Sequence, residues 1–128
     1  LALAALLLSP AAAAAQANPP LAEVTVVTEG LIAAAIAYEI GDKCDSLNAR
    51  ILAGIAFLQG LKSHAEGLGY SGAEIEAFID DDAEKARLEG IARARLAAMG
   101  GVVGQWETYC AVGRAEIAAG TQIGRLLR

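Results

Sequence analysis

Histidine occurs once in the 128 residues, at position 64, and cysteine only twice, at positions 44 and 110. A histidine-based metal centre would need several carboxylates converging on that one imidazole. A Cys–His nucleophile pair would need a cysteine for which pairing with the other cysteine is the simpler use. Also missing are a G-x-S-x-G elbow, a zinc-ligand spacing and a phosphate-cradling glycine loop. The stretch Gly100-Gly101-Val102-Val103-Gly104 has neither the lysine nor the strand-before-helix context such a loop needs. Asp80-Asp81-Asp82 lacks the alternating acids, glycine and distant glutamate of a calcium loop, and helix capping accounts for these acids more simply. His64 is expected on a helix flank near Leu61 and Leu68. An enzyme is therefore not expected, and neither a cofactor nor a metal is called for.

Long apolar runs are absent beyond Ala17. The longest, Leu31 to Tyr38, is far short of the roughly 20 residues that span a bilayer. Strand-forming stretches are also absent, since Val24 to Val27 is too brief to found a sheet. All ten basic and fifteen acidic residues lie beyond Ala17, so the net charge of −5 belongs to the remainder of the chain. An acidic domain repels phosphate backbones and anionic head groups, so nucleic acid and membrane surfaces are not expected partners.

The first seventeen residues are leucine and alanine almost throughout, break at Ser9-Pro10 and end in Ala15-Gln16-Ala17. That pattern fits the apolar region and cleavage site of a secretory signal, with cleavage after Ala17. A basic leader and an initiating methionine are not in the sequence, so a few further residues are expected upstream. No cysteine lies near the cleavage point, which argues against a lipid anchor. The expected organisation is a signal peptide over residues 1–17, a linker over 18–26 and one helical domain over 27–128, located in the periplasm. In an oxidising compartment Cys44 and Cys110 are expected to pair, contributing on the order of 4 kcal/mol by loop closure.

The apolar spacing predicts helices throughout. The first runs from Val27 to Ile40, ended by Gly41-Asp42. The second starts with Asp45 or Ser46 as N-cap and runs to about Leu68. Being apolar around much of its circumference, it is expected to be the central, most buried helix. Gly67 and Gly69 offer a C-cap; Ser71 and Glu74 then form a capping box, with Tyr70 and Ile75 placed as a hydrophobic staple. A short helix follows over Gly72 to Ile79; Asp81 and Glu84 then repeat the capping-box spacing, opening a helix from Asp82 to Met99 stopped by Gly100-Gly101. The last runs from Gln105 to Leu127, with Gly113, Gly120 and Gly124 on one stripe, which suggests a second helix backbone pressing close. The predicted fold is all-α, a small four- to five-helix domain whose disulfide ties the start of the second helix to the last.

Two side-chain groups remain as candidates for interaction. Lys85, Arg87, Arg93 and Arg95 form a basic stretch just after an acidic one and mark a possible partner surface, the alternative being a solvated helix face. Trp106 and Tyr109 flank Cys110, either as core material against the disulfide or as an aromatic pocket.

The apolar leader, Leu61-Lys62-Ser63, the stretch from Gly69 to Ile79, Asp82-Ala83-Glu84-Lys85-Ala86-Arg87 and Tyr109 to Ile117 together resemble an uncharacterised family of small exported alphaproteobacterial proteins. The resemblance covers most of the chain beyond Ala17. It implies a periplasmic helical domain and carries over no activity or site residue. The functional expectation is a non-enzymatic periplasmic accessory or binding protein that meets an envelope protein through a helical surface. The alternative is a carrier of a small apolar ligand held between the glycine-striped last helix and the central one.

Overall fold

A computed structural model describes residues 18–128; the signal segment and cleavage site expected within residues 1–17 lie outside them. A 3-10 turn (Leu21–Glu23) leads into α1 (Thr25–Lys43). There follow α2 (Ile51–Gly67), α3 (Gly72–Ile79), α4 (Asp82–Ala98), α5 (Trp106–Ala119) and α6 (Gln122–Arg125). Among the described residues there is no strand, only the isolated bridges Ala49–Leu127 and Val102–Gln105. The fold is all-α, with one disulfide between Cys44 and Cys110.

The central helix is α1 and not α2, a correction to the sequence reading. The stripe Ile32, Ile36, Ala37 and Ile40 is buried, Ile40 completely. It packs against α2 and α4 and against α5 and α6. In α2 only Leu61 and Ala65 are buried. All-round apolarity demands neighbours on every side, but α2 lies at the edge of the domain. Leu52 is left 83% exposed, with Ile51, Ile55 and Leu58 also open to water.

Two helix boundaries differ from expectation through contacts distant in sequence. Gly41 does not stop α1, which continues to Lys43 with Cys44 as its C-cap. A Cβ on Gly41 would sit 2.6 Å from the Ala49 nitrogen, so this glycine serves the close approach of the next loop. Residues 45–50, expected to open α2, are instead drawn to the C-terminus. The Asn48 N–H donates to the Arg128 carbonyl at 2.7 Å, the Arg128 N–H returns to Asn48 at 3.0 Å, and the Arg50 N–H donates to Leu126 at 2.8 Å. Consequently the disulfide joins the end of α1 to α5, rather than the start of α2.

The segment 18–26, expected as a linker, is a packed strap. Leu21 is buried, the Asn18 amide donates to the Leu68 carbonyl at 3.0 Å, and the Tyr70 hydroxyl donates to the Pro19 carbonyl. Once Leu21 anchors the strap, α1 begins at Thr25, two residues early.

Local signals fare better. The Ser71 hydroxyl accepts from the Glu74 N–H at 3.1 Å while the Glu74 carboxylate accepts from the Ser71 N–H at 2.7 Å, and the staple residues Tyr70 and Ile75 are buried. Asp81 caps α4 by accepting from Ala83 and Glu84. The predicted last helix is split. Gly120 takes φ 65° as a left-handed C-cap, and Thr121 restarts the chain as N-cap by accepting from Gly124. The glycines therefore do not line one stripe against a single helix backbone. A Cβ on Gly113 would meet Leu47 and Ile40 side chains at 2.5 and 2.9 Å, and one on Gly124 would strike the Glu116 carbonyl of α5.

By contrast, a Cβ on Gly54 or Gly60 would meet nothing within 4 Å, and both lie inside α2. Gly54→Ala and Gly60→Ala are each expected to stabilise the protein by roughly 1 kcal/mol, since alanine removes the helical penalty of glycine without a clash. Urea unfolding checks this, and a loss of stability in either variant would show that α2 is more enclosed than described.

Candidate functional site

Along α1, Leu31, Ala34 and Ala35, half-buried against the core, and exposed Tyr38 recur at helical spacing on a different side from Ile36 and Ile40. This ridge lies between α2 on one flank and the α3–α4 junction on the other. Three adjoining hollows border it. One, of about 220 Å³, lies between Leu31, Ala35, Phe78, Ile79, Lys85 and Leu88. The second, about 240 Å³, shares Leu31, Phe78 and Ile79 and reaches Leu58 and Leu61. The third, about 200 Å³, shares Leu58 and lies between Tyr38, Ile51, Gly54 and Ile55. The first two, sharing three residues, make one apolar trough; the third meets it only at Leu58 and has Arg50 in its wall.

Local sequence explains why the trough is open. α3 ends at Ile79 because Asp81 restarts the chain as the cap of α4, so Ile79 is left exposed at the trough edge. Lys62 of α2 and Lys85 of α4 line the trough. Neither makes an ion pair among the described residues. Of the acids lining the same region, Glu84 is engaged by Arg87 through guanidinium contacts of 2.8 and 3.0 Å, while Glu89 lies beside Lys85.

The four basic residues expected as a partner surface are not brought to one face, because 100° of rotation per residue distributes them around α4. Arg87 is held by Glu84, whose hydrogen bond raises the guanidinium pKa. Arg95 forms a two-pronged pair with Glu29 of α1, which holds the Glu29 carboxyl below the usual range, chiefly through the hydrogen bond. Arg93 is exposed elsewhere on α4, and Lys85 alone of the four reaches the trough. These pairs are half-exposed, so their contribution to stability is small.

His64 lies exposed on the flank of α2. Trp106 and Tyr109 meet edge to face at 5.1 Å, Tyr109 buried in the core cluster that contains both cysteines, and the Lys43 ammonium lies 5.1 Å from the Trp106 ring. They act as core edge and cation partner. Asp81 is spent on capping, and among the described residues no group of three His, Cys, Asp or Glu is placed to hold a metal. No helix among them is long and apolar enough to cross a membrane.

Sequence reasoning missed the trough because nothing local distinguishes Leu31, Leu58, Phe78 and Ile79 from apolar helix positions that a neighbour covers. One available signal was the surplus in α2, which carries more apolar residues than one buried face requires. No curated protein and no solved structure matches the chain. A family model matches residues 19–128, and the chain belongs to that family, DUF5333, a family of unknown function.

Proposed function

We propose that the protein is a non-enzymatic accessory protein of the periplasm that docks an amphipathic helix of an envelope protein in the trough over α1. The observation that carries this reading is the apolar trough beside the α1 ridge, formed by two hollows that share Leu31, Phe78 and Ile79. Grooves of this kind take helices that present apolar side chains at i, i+3 or i+4, and i+7. Lys62 and Lys85 favour a partner helix with carboxylates beside its apolar face. The trough is open along its length, as a groove for a helix is; the larger hollow of about 500 Å³, between Pro19, Pro20 and Leu21 of the strap, Tyr70 and Glu84, lies apart from α1.

The test is quantitative recovery of envelope proteins on immobilised wild-type protein, Leu31→Asp and Ile79→Asp. One specific protein should be recovered at least about tenfold less on each variant, with the far-UV spectrum and melting temperature of Ile79→Asp unchanged. Equal recovery on all three would sink the proposal.

A further inference from the structure

We infer that the strap over residues 18–24 is an internal competitor for the trough, seated at its end and displaced when a partner helix docks; this rests on the docking reading above. Leu21 occupies the seat. It is buried in a cluster with Val27, Ala65, Tyr70 and Ile75, separate from the main one. Three of these neighbours, Val27, Ala65 and Ile75, also line the trough hollow of about 240 Å³, and so does Leu21 itself. The apolar floor of the trough therefore runs on beneath the strap, and one leucine side chain covers its end. On the other side of the strap lies the hollow of about 500 Å³, which Leu21 and Phe78 again line. With the strap lifted, the two hollows join past Phe78 and the seat opens to a side chain of a docking helix.

The hold on the strap is slight. Besides Leu21, two hydrogen bonds tie it to the α2–α3 junction: the Asn18 amide donates to the Leu68 carbonyl at 3.0 Å, and the Tyr70 hydroxyl donates to the Pro19 carbonyl. Pro19 and Pro20 have no N–H to donate. Glu23, the only charge in the strap, makes no ion pair among the described residues. Val24, at the start of α1, makes no capping side-chain bond that would fix the turn between strap and helix. One buried leucine and two hydrogen bonds must outweigh the ordering of the whole segment, a balance that keeps the lifted strap accessible as a minor state. An apolar side chain at the end of a docked helix replaces Leu21 in kind, so the exchange forfeits little burial.

Two measurements on the whole protein test this. The first, native-state hydrogen exchange in low urea, needs no ligand. The Glu23 and Val24 amides, which donate to the Pro20 and Leu21 carbonyls, should exchange at least about 100-fold faster than that of Ile36 and without urea dependence, because the strap lifts while the domain stays folded. Exchange in step with Ile36, through global unfolding alone, would overturn the inference. The second uses a helical peptide of about 16 residues with leucine at i, i+4, i+7 and i+11 and glutamate beside them. A seat already freed binds without competition, so Leu21→Ser should bind the peptide at least about fivefold more tightly than wild type. Tyr70→Phe, the milder change should Leu21→Ser disturb folding, loses only the hydroxyl that donates to Pro19 and should shift affinity the same way by a smaller factor. In wild type the bound peptide should speed exchange at Glu23 and Val24. Unchanged or weaker binding to the two variants, or slower strap exchange on binding, marks the strap as a fixed wall of the trough and would contradict the competition. Binding to none of the three proteins fails the docking reading itself and removes this inference with it.

Discussion

Replacing Cys44 and Cys110 together by serine is expected to lower stability by about 4 kcal/mol, the loop-closure entropy restored to an unfolded chain whose linked positions are 66 residues apart. For a domain of this size the midpoint of thermal unfolding should fall by on the order of 20 °C. The bridge fixes the end of α1 against α5, and both cysteines are buried within the main core. Adding reductant to the unfolded wild-type protein and refolding it under reducing conditions should reproduce the same loss. A shift of less than about 5 °C would show that packing alone holds this corner.

The second large effect separates α1 from α2. Ile36→Ala is expected to cost about 3 to 4 kcal/mol, because Ile36 is 2% exposed and enclosed by the main core, where the residual cavity adds to the lost transfer energy. Leu52→Ala, an equally apolar truncation, should cost less than about 0.5 kcal/mol, because the side chain is already in water. Urea unfolding of both variants measures the difference. Had α2 been the central helix, as its composition suggests, the two costs would be reversed.

That reversal shows what local sequence can carry. A capping box needs only residues three apart, so Ser71 and Glu74 announced the start of α3, and Asp81 with Glu84 announced α4. Helix content and the single cysteine pair were equally legible. Burial was not, because apolarity reports what a helix could bury and not whether neighbours surround it. In α1 a modest stripe is covered from several sides; in α2 a richer one faces solvent. The hydrogen-bonded segments Asn48–Arg50 and Leu126–Arg128 join positions nearly eighty residues apart in sequence, and nothing local to either marks the contact. Gly41 and Gly113 read as helix breakers or a helix-packing stripe, but their role is to admit Ala49 and Leu47.

The candidate surface was legible only in part. Lys85 was singled out within a basic run and does line the trough, whereas Arg87 and Arg95 are engaged by Glu84 and Glu29. The apolar members, Leu31, Phe78 and Ile79, line a common hollow only because α3 ends at Ile79.

The most direct measurement is photo-crosslinking in intact cells from a reactive amino acid placed at Ile79, compared with one at Arg93 on another side of α4. The proposed docking predicts one dominant adduct from position 79, lost on adding Leu31→Asp, and mapped on the partner to a helical segment with apolar residues at three- and four-residue spacing flanked by carboxylates. Position 93 should give no such product. The same adducts from both positions, or a product from 79 that survives Leu31→Asp, would contradict the account.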